Sequence, residues 1–259
     1  YCADGMNAVD WALANYPVDV KTIGIMGYAG DYGGDYAKGV TAAAEANGLT
    51  VAWEYVVPSP EFDVAQAVGL MVTNPVDAYF PAVGPGHMAA VAGGAFQQGL
   101  TPLSMMAAPS FNDAFVREGF ALAPLFNSGS MYLMAFVAPY EAETAGHATM
   151  RATFTAMGID SANTFLVAGW ASQHHLKGVL EAANKGGDLT RAGIRRAAGS
   201  VYVDSDGMMP QRELGQNRAD AESFIAVPDG TIASGVKLLA GNYVGPSAGG
   251  YDWESGPCS

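Results

Sequence analysis

The chain has 259 residues, 12 Lys and Arg against 25 Asp and Glu, and a formal charge of −13. That balance excludes a nucleic-acid gripper, which needs clustered Lys and Arg against the phosphates. Half of the residues are hydrophobic, enough for one large α/β domain or two smaller lobes, yet Gly, Pro or Asp breaks each apolar run before the roughly 18 to 20 residues of a membrane span. The chain opens on Tyr-Cys rather than Met, which reads as a processed chain or a fragment whose targeting segment is gone.

From Val20 the pattern is regular. "VKTIGIMGY" (20–28) reads as a strand, and "YAKGVTAAAEANG" (36–48) as an Ala-rich helix ended by Asn47-Gly48. "LTVAWEYVV" (49–57) is a second strand, punctuated by Pro58 and Pro60, and "EFDVAQAVGLMVTN" (61–74) a second helix stopped before Pro75. "VDAYFPAV" (76–83), "GHMAAVAGGAFQQG" (86–99, with Gly99 as C-cap) and "LTPLSMMAA" (100–108) repeat the strand, helix, strand order. This alternation implies a parallel sheet with helices on both faces, and ligands in such sheets bind outside the carboxyl ends of the strands. The informative segments are therefore 27–35, 57–61, 82–87 and 105–113.

After residue 110 the rhythm changes. "FNDAFVREGF" (111–120) reads as a short helix, and 119–130 and 131–140 as extended. Helices are expected over 143–158, 164–187 and 188–200, the last capped by Asp188 or Thr190. From Val201 β patterns return (201–209, 221–230, 231–240), and the Gly- and Pro-rich tail 241–259 is expected to be irregular.

Several chemistries fail on spacing. G-x-G-x-x-G and the P-loop pattern are absent from 24–36, and the G-x-G at 84–86 contains Pro85, which removes an N–H from any phosphate cradle. No G-x-S-x-G elbow occurs. His174 and His175 are adjacent and point about 100° apart on a helix, so metal binding is not expected and the four histidines default to solvated or capping roles. "DSDG" (204–207) has Glu213 nine residues after Asp204, too near for an EF-hand and interrupted by Pro210, so an Asp-Gly turn is expected. Asp31, Asp35, Glu61 and Asp113 read best as helix N-terminal residues. What remains after the strands is aromatic or small: Tyr28, Tyr32, Phe80, Pro81, Met105, Met106 and Phe111. Tyr28 and Tyr32 sit in a Gly-rich turn, where a core role is not expected, and read as binding-surface residues. Cys2 and Cys258 stand at opposite ends, either as unrelated thiols or as one disulfide of an exported protein.

The order of these segments resembles the periplasmic solute-binding proteins of ABC importers, of the branched-chain amino acid-binding type. The resemblance is carried by Asp31-Tyr32-Gly33 opening a helix, Gly48 with Val51, Pro58, Phe62-Asp63 in inverted order, Pro75-Val76-Asp77-Ala78, the helices of 165–201 with Trp170 at an aromatic position, and "DSDGMM" as a hairpin. It implies an α/β fold of the type I periplasmic-binding class: two lobes, the first incomplete here, with ligand held between them. It implies that 1–128 and 200–259 form the C-terminal lobe, and that 129–199 supplies hinge crossings and helices of the N-terminal lobe. Both cysteines then fall on one lobe, which favours the disulfide. Tyr32 and Tyr28 would contact ligand, with Gly84, Pro85, Ser110 and Phe111 lining the cleft and Trp170 towards the hinge. No enzyme activity, cofactor or metal is implied. The implied partners are a small-molecule solute, a membrane permease and the missing segment of the first lobe, in an extracytoplasmic location. A sensor or receptor ligand-binding domain is the alternative on the same fold. Where amino-acid binders of this family place an acidic residue for the ligand ammonium, this chain has Ala107 or Ala108. The expected solute is therefore an apolar or aromatic carboxylate or amide rather than an α-amino acid.

Overall fold

The computed structural model describes residues 1–210, 212–213 and 221–258. Its first helix, α1 (Cys2–Asn15), precedes the reach of the strand-helix rhythm and carries Asp4, Asn7 and Asp10 in its buried face. Such a mixed face hides the helical period from a hydrophobicity reading. There follow β1 (Thr22–Tyr28), α2 (Gly33–Ala46), β2 (Thr50–Val57), α3 (Val64–Thr73), β3 (Ala78–Ala82), α4 (Pro85–Gln97) and β4 (Leu103–Ala107). All seven stand where the sequence places them. Gly48 and Gly99, with φ of 68° and 76°, release the chain after α2 and α4, and the Asp63 carboxylate caps α3 by accepting from Ala65 N at 2.8 Å.

Residues 119–130 depart from expectation. They form turns and a one-turn helix, α5 (Ala123–Phe126), rather than an extended run. Phe126 packs on Phe115 at 4.8 Å, so aromatic burial rather than a ladder holds this segment. β5 (Met131–Ala135) follows, then α6 (Ala145–Ala156), α7 (Thr164–Lys185), α8 (Arg191–Ala198), β6 (Tyr202–Val203), β7 (Arg212–Glu213), β8 (Ser223–Pro228), β9 (Val236–Tyr243) and α9 (Pro246–Gly249). Thr190, not Asp188, is the α8 cap and accepts from Gly193 N. The tail is less irregular than expected, because β9 runs to Tyr243 and α9 succeeds it.

One sheet of seven strands runs in the order β2-β1-β3-β4-β5-β8-β9. β2 through β5 pair in parallel, and β8 and β9 add antiparallel. Strand alternation sorts the core into two layers. Ile23, Ile25, Phe80 and Met105 belong to the layer with α1 and α2, while Met26, Tyr79 and Met106 belong to that with α3 and α4. Phe80, Met105 and Met106 have no exposed surface, so they are core and not pocket wall.

A separate cluster joins Val137, Tyr140, Met150, Phe154, Val167, Met208 and Met209, with Trp170 edge-on to Phe154 at 5.6 Å. Residues 129–199 therefore divide: β5 lies inside the main sheet, and α6 and α7 pack with the "DSDGMM" segment. The Asp-Gly turn forms there, with Asp206 and Gly207 at φ of 53° and 82° and the Asp204 carboxylate accepting from Asp206 N at 2.8 Å. His147 is neither solvated nor a cap. It is fully buried between Thr144 Oγ1 and the Ala138 carbonyl, and burial holds its pKa below the ordinary value. Cys2 and Cys258 are bonded, with Cα atoms 6.0 Å apart, which fixes the tail against α1.

Candidate functional site at the carboxyl edge of the sheet

β1, β3 and β4 end side by side, and the segments after them converge. The first turn, 29–32, runs into α2 through Gly33. A Cβ there would lie 2.4 Å from the Tyr28 carbonyl oxygen and 2.8 Å from that of Ala82, so only glycine lets the start of α2 press against two strand ends. This close approach sets Tyr32, the N-cap of α2, over the neighbouring strand. Gly30 and Gly33 thus serve the strand-to-helix turn, while Gly24 and Gly27 lie within β1, Gly24 beneath the Trp53 ring.

Tyr32 Oη lies 3.1 Å from Ser110 Oγ and 3.3 Å from the Val83 carbonyl oxygen. Ser110, fully buried in the short turn after β4, accepts from Val83 N at 3.1 Å and donates to the Pro81 carbonyl at 3.3 Å. One hydroxyl therefore ties the ends of β3 and β4 together and positions the Tyr32 phenol. Burial raises the Tyr32 pKa, with the Ser110 bond opposing part of that rise, so the phenol stays neutral. Tyr1 stands edge-on to the Tyr32 ring at 4.8 Å.

Tyr28 occupies the other side of the Val83–Gly84 turn. Its hydroxyl lies 2.6 Å from His87 Nδ1, and a Cβ on Gly84 would come within 3.0 Å of that hydroxyl. Gly84 and Pro85 start α4 as N-cap and first helical residue, an arrangement in which the missing Pro N–H costs no helical bond. Phe111 points inward: it is 3% exposed and packs against Phe115. The structure therefore gathers Tyr28, Tyr32, Gly84, Pro85 and Ser110 at one edge, with Phe111 beneath it. Tyr1, Phe62 and His87 join them without having been singled out. Their only sequence signal was position, just before α3 for Phe62 and in the first turn of α4 for His87. Among the described residues, no group of His, Cys, Asp and Glu could hold a metal ion. Two grooves of about 420 and 410 Å³ run along α2 beside Pro257, lined by Ala42 and Glu45, away from Ser110 and the end of β4.

A mostly parallel sheet covered on both faces defines an α/β protein of the class that takes ligands at the carboxyl edge. A family model described as periplasmic binding protein matches residues 2–231. The chain belongs to that family, and its fold is the type I periplasmic-binding fold. Among solved structures, a fatty acid ABC transporter substrate-binding protein from Thermomonospora curvata superposes with a TM-score of 0.85 at 23% identity, covering 97% of this chain and 64% of that one. A branched-chain amino acid ABC transporter protein from Thermus thermophilus with bound valine gives 0.70 at 13% identity, covering 95% and 66%. An extracellular ligand-binding receptor from Rhodopseudomonas palustris gives 0.64 at 16%, covering 92% and 68%. No curated protein matches the chain. The chain thus spans about two thirds of the length of these structures. No helix among the described residues is long and apolar enough to cross a membrane.

Proposed function

We propose that this chain is the larger part of an extracytoplasmic solute-binding protein that delivers a small apolar carboxylate or amide to the permease of an ABC importer. The carrying observation is the Tyr32–Ser110–Val83 network, which holds a neutral phenol at the carboxyl edge, where α/β folds take their ligands. The sheet and its helices would form one lobe and the α6–α7 cluster part of a second, with solute held between them. Binding alone suffices for this role, and no covalent step is needed.

The composition of the strand ends supports this solute class. Ala107 ends β4 and Ala108 begins the turn after it, both buried, where an ammonium would need an acidic partner. The partly exposed rings of Tyr28 and Tyr32 offer apolar surface instead. The Thermomonospora relative, described as a fatty acid binder, supports an apolar acid. A sensor or receptor role is the second reading, supported by the receptor description of the Rhodopseudomonas structure.

Isothermal titration of the full chain with phenylacetate, decanoate, leucine and valine tests the proposal. The expected result is binding of the first two, each raising Tm without being converted. Tight leucine or valine binding with none for phenylacetate or decanoate overturns the assigned solute class.

A further inference from the structure

Three elements bring Tyr28, Phe62 and His87 together beside the Val83–Gly84 turn. The His87 ring stacks on Phe62 at 4.9 Å and 23°. Tyr28 stands edge-on to both rings, at 5.7 Å from His87 and 5.8 Å from Phe62. The imidazole orientation is therefore held by one face, one edge and one hydrogen bond. The phenol is the better donor of the Tyr28–His87 pair, so it gives its proton to Nδ1, and the ring carries its own proton on Nε2.

That Nε2–H is bonded to no described residue, while Nδ1 is taken. The ring that carries it is half-buried and held against Tyr28 and Phe62. No carboxylate hydrogen-bonds Tyr28, Tyr32, His87 or Ser110 among the described residues. The Tyr32–Ser110 pair lies on the far side of the same turn, through Val83.

We infer that His87 is a specificity-determining ligand contact: its Nε2–H donates to the carboxylate of a solute with an apolar tail, and Tyr28 and Phe62 hold the ring for that contact. This rests on the reading of the carboxyl edge as the solute site. A hydrogen bond to a charged oxygen in a partly desolvated place is worth about 10- to 100-fold in affinity. His87→Phe keeps the stack and removes the donor, whereas His87→Gln returns an amide N–H to nearly the same place. Tyr28→Phe frees Nδ1 and lets the tautomer relax.

The test uses the full chain with decanoate, decanol and leucine as probes, read by calorimetry and by long-range 1H–15N spectra of the imidazoles. The expected result is decanoate binding in the wild type, with the His87 Nε2 resonance moving on addition. His87→Phe should weaken decanoate about 10-fold or more and leave decanol unchanged, His87→Gln should recover part of the loss, and Tyr28→Phe should weaken decanoate by a smaller factor. Decanoate binding unchanged in His87→Phe, or a still Nε2 resonance on a saturated wild type, overturns the inference while leaving solute binding intact. Leucine binding without decanoate binding overturns the carboxylate-with-apolar-tail assignment. A wild type that binds none of the three overturns both this inference and the solute site beneath it.

Discussion

Replacing Asn7 by Leu probes the joint that closes the fold. Asn7 is fully buried on α1. Its Nδ2 donates to the Ala221 carbonyl at 2.7 Å, Ser223 Oγ at 2.8 Å and the Tyr243 carbonyl at 3.2 Å, and its Oδ1 accepts from Gly245 N at 2.8 Å. Two Nδ2 protons serve those three acceptors, so the side chain supports about three bonds at a time. Leucine has nearly the same volume and replaces none of them. A buried group left without a partner costs about 1 to 3 kcal/mol, and the Gly245 N–H and at least one carbonyl are stranded. The expected loss is about 3 to 5 kcal/mol, or a Tm lower by roughly 6 to 10 °C for a chain of this length. Urea unfolding followed by fluorescence and far-UV dichroism reads it as a lower midpoint at constant slope. A loss below about 1 kcal/mol would refute the reasoning, since the stranded groups would then have found water or each other at no cost.

Three further outcomes follow from the same joint and from the site. The Cys2–Cys258 bond closes a loop of sequence separation 256, and the chain-entropy model assigns such a loop about 5 kcal/mol. Reductant should lower the wild-type Tm and leave a Cys2→Ser/Cys258→Ser double variant unmoved, and equal melting with and without reductant would refute it. Asp4 is fully buried against Ser223 Oγ at 2.6 Å, and burial raises its pKa above the ordinary 3.8. Its contribution is therefore complete below the unfolded pKa and lost as pH rises through the folded one. Asp4→Asn should flatten that descent and be the more stable protein at pH 7 in urea titrations, and an unaltered pH slope would count against it. Gly33→Ala forces a Cβ to 2.4 Å from the Tyr28 carbonyl oxygen. Overpacking of that kind costs about 1 to 3 kcal/mol, and equal loss of the Tyr32–Ser110 contact should appear as weaker solute binding in calorimetry.

The alternating core was legible residue by residue. The apolar runs "TIGIMGY" and "AYFPA" and the Gly and Pro breaks after them set β1, β3 and their flanking helices, because a strand buried on both faces and a helix stop are local matters. The strand ends pointed to the edge where Tyr28, Tyr32, Gly84 and Pro85 meet. α1 was not legible, because its buried face carries Asp4, Asn7 and Asp10, which bond to Ser223, Gly245 and Ser247 more than two hundred residues away. Ser110 was placed at the site, but its role as the tie between β3 and β4 belongs to the distance between two strand ends. Phe111 points to the core although its neighbours line the edge, since a turn of one residue decides which way a side chain faces. His87 looked like any exposed helix-start histidine until Phe62 and Tyr28 closed around it.

The division is one of range. Composition, periodicity and turn chemistry act over a few residues, and by themselves they determined an α/β sheet of parallel units whose carboxyl edge bears tyrosines. Whether Cys2 and Cys258 pair, where β5 joins the sheet, and which side chains share the edge depend on contacts between segments far apart in the chain. Only the packed tertiary structure decided these, because closing such long loops is favourable only when the whole core forms together.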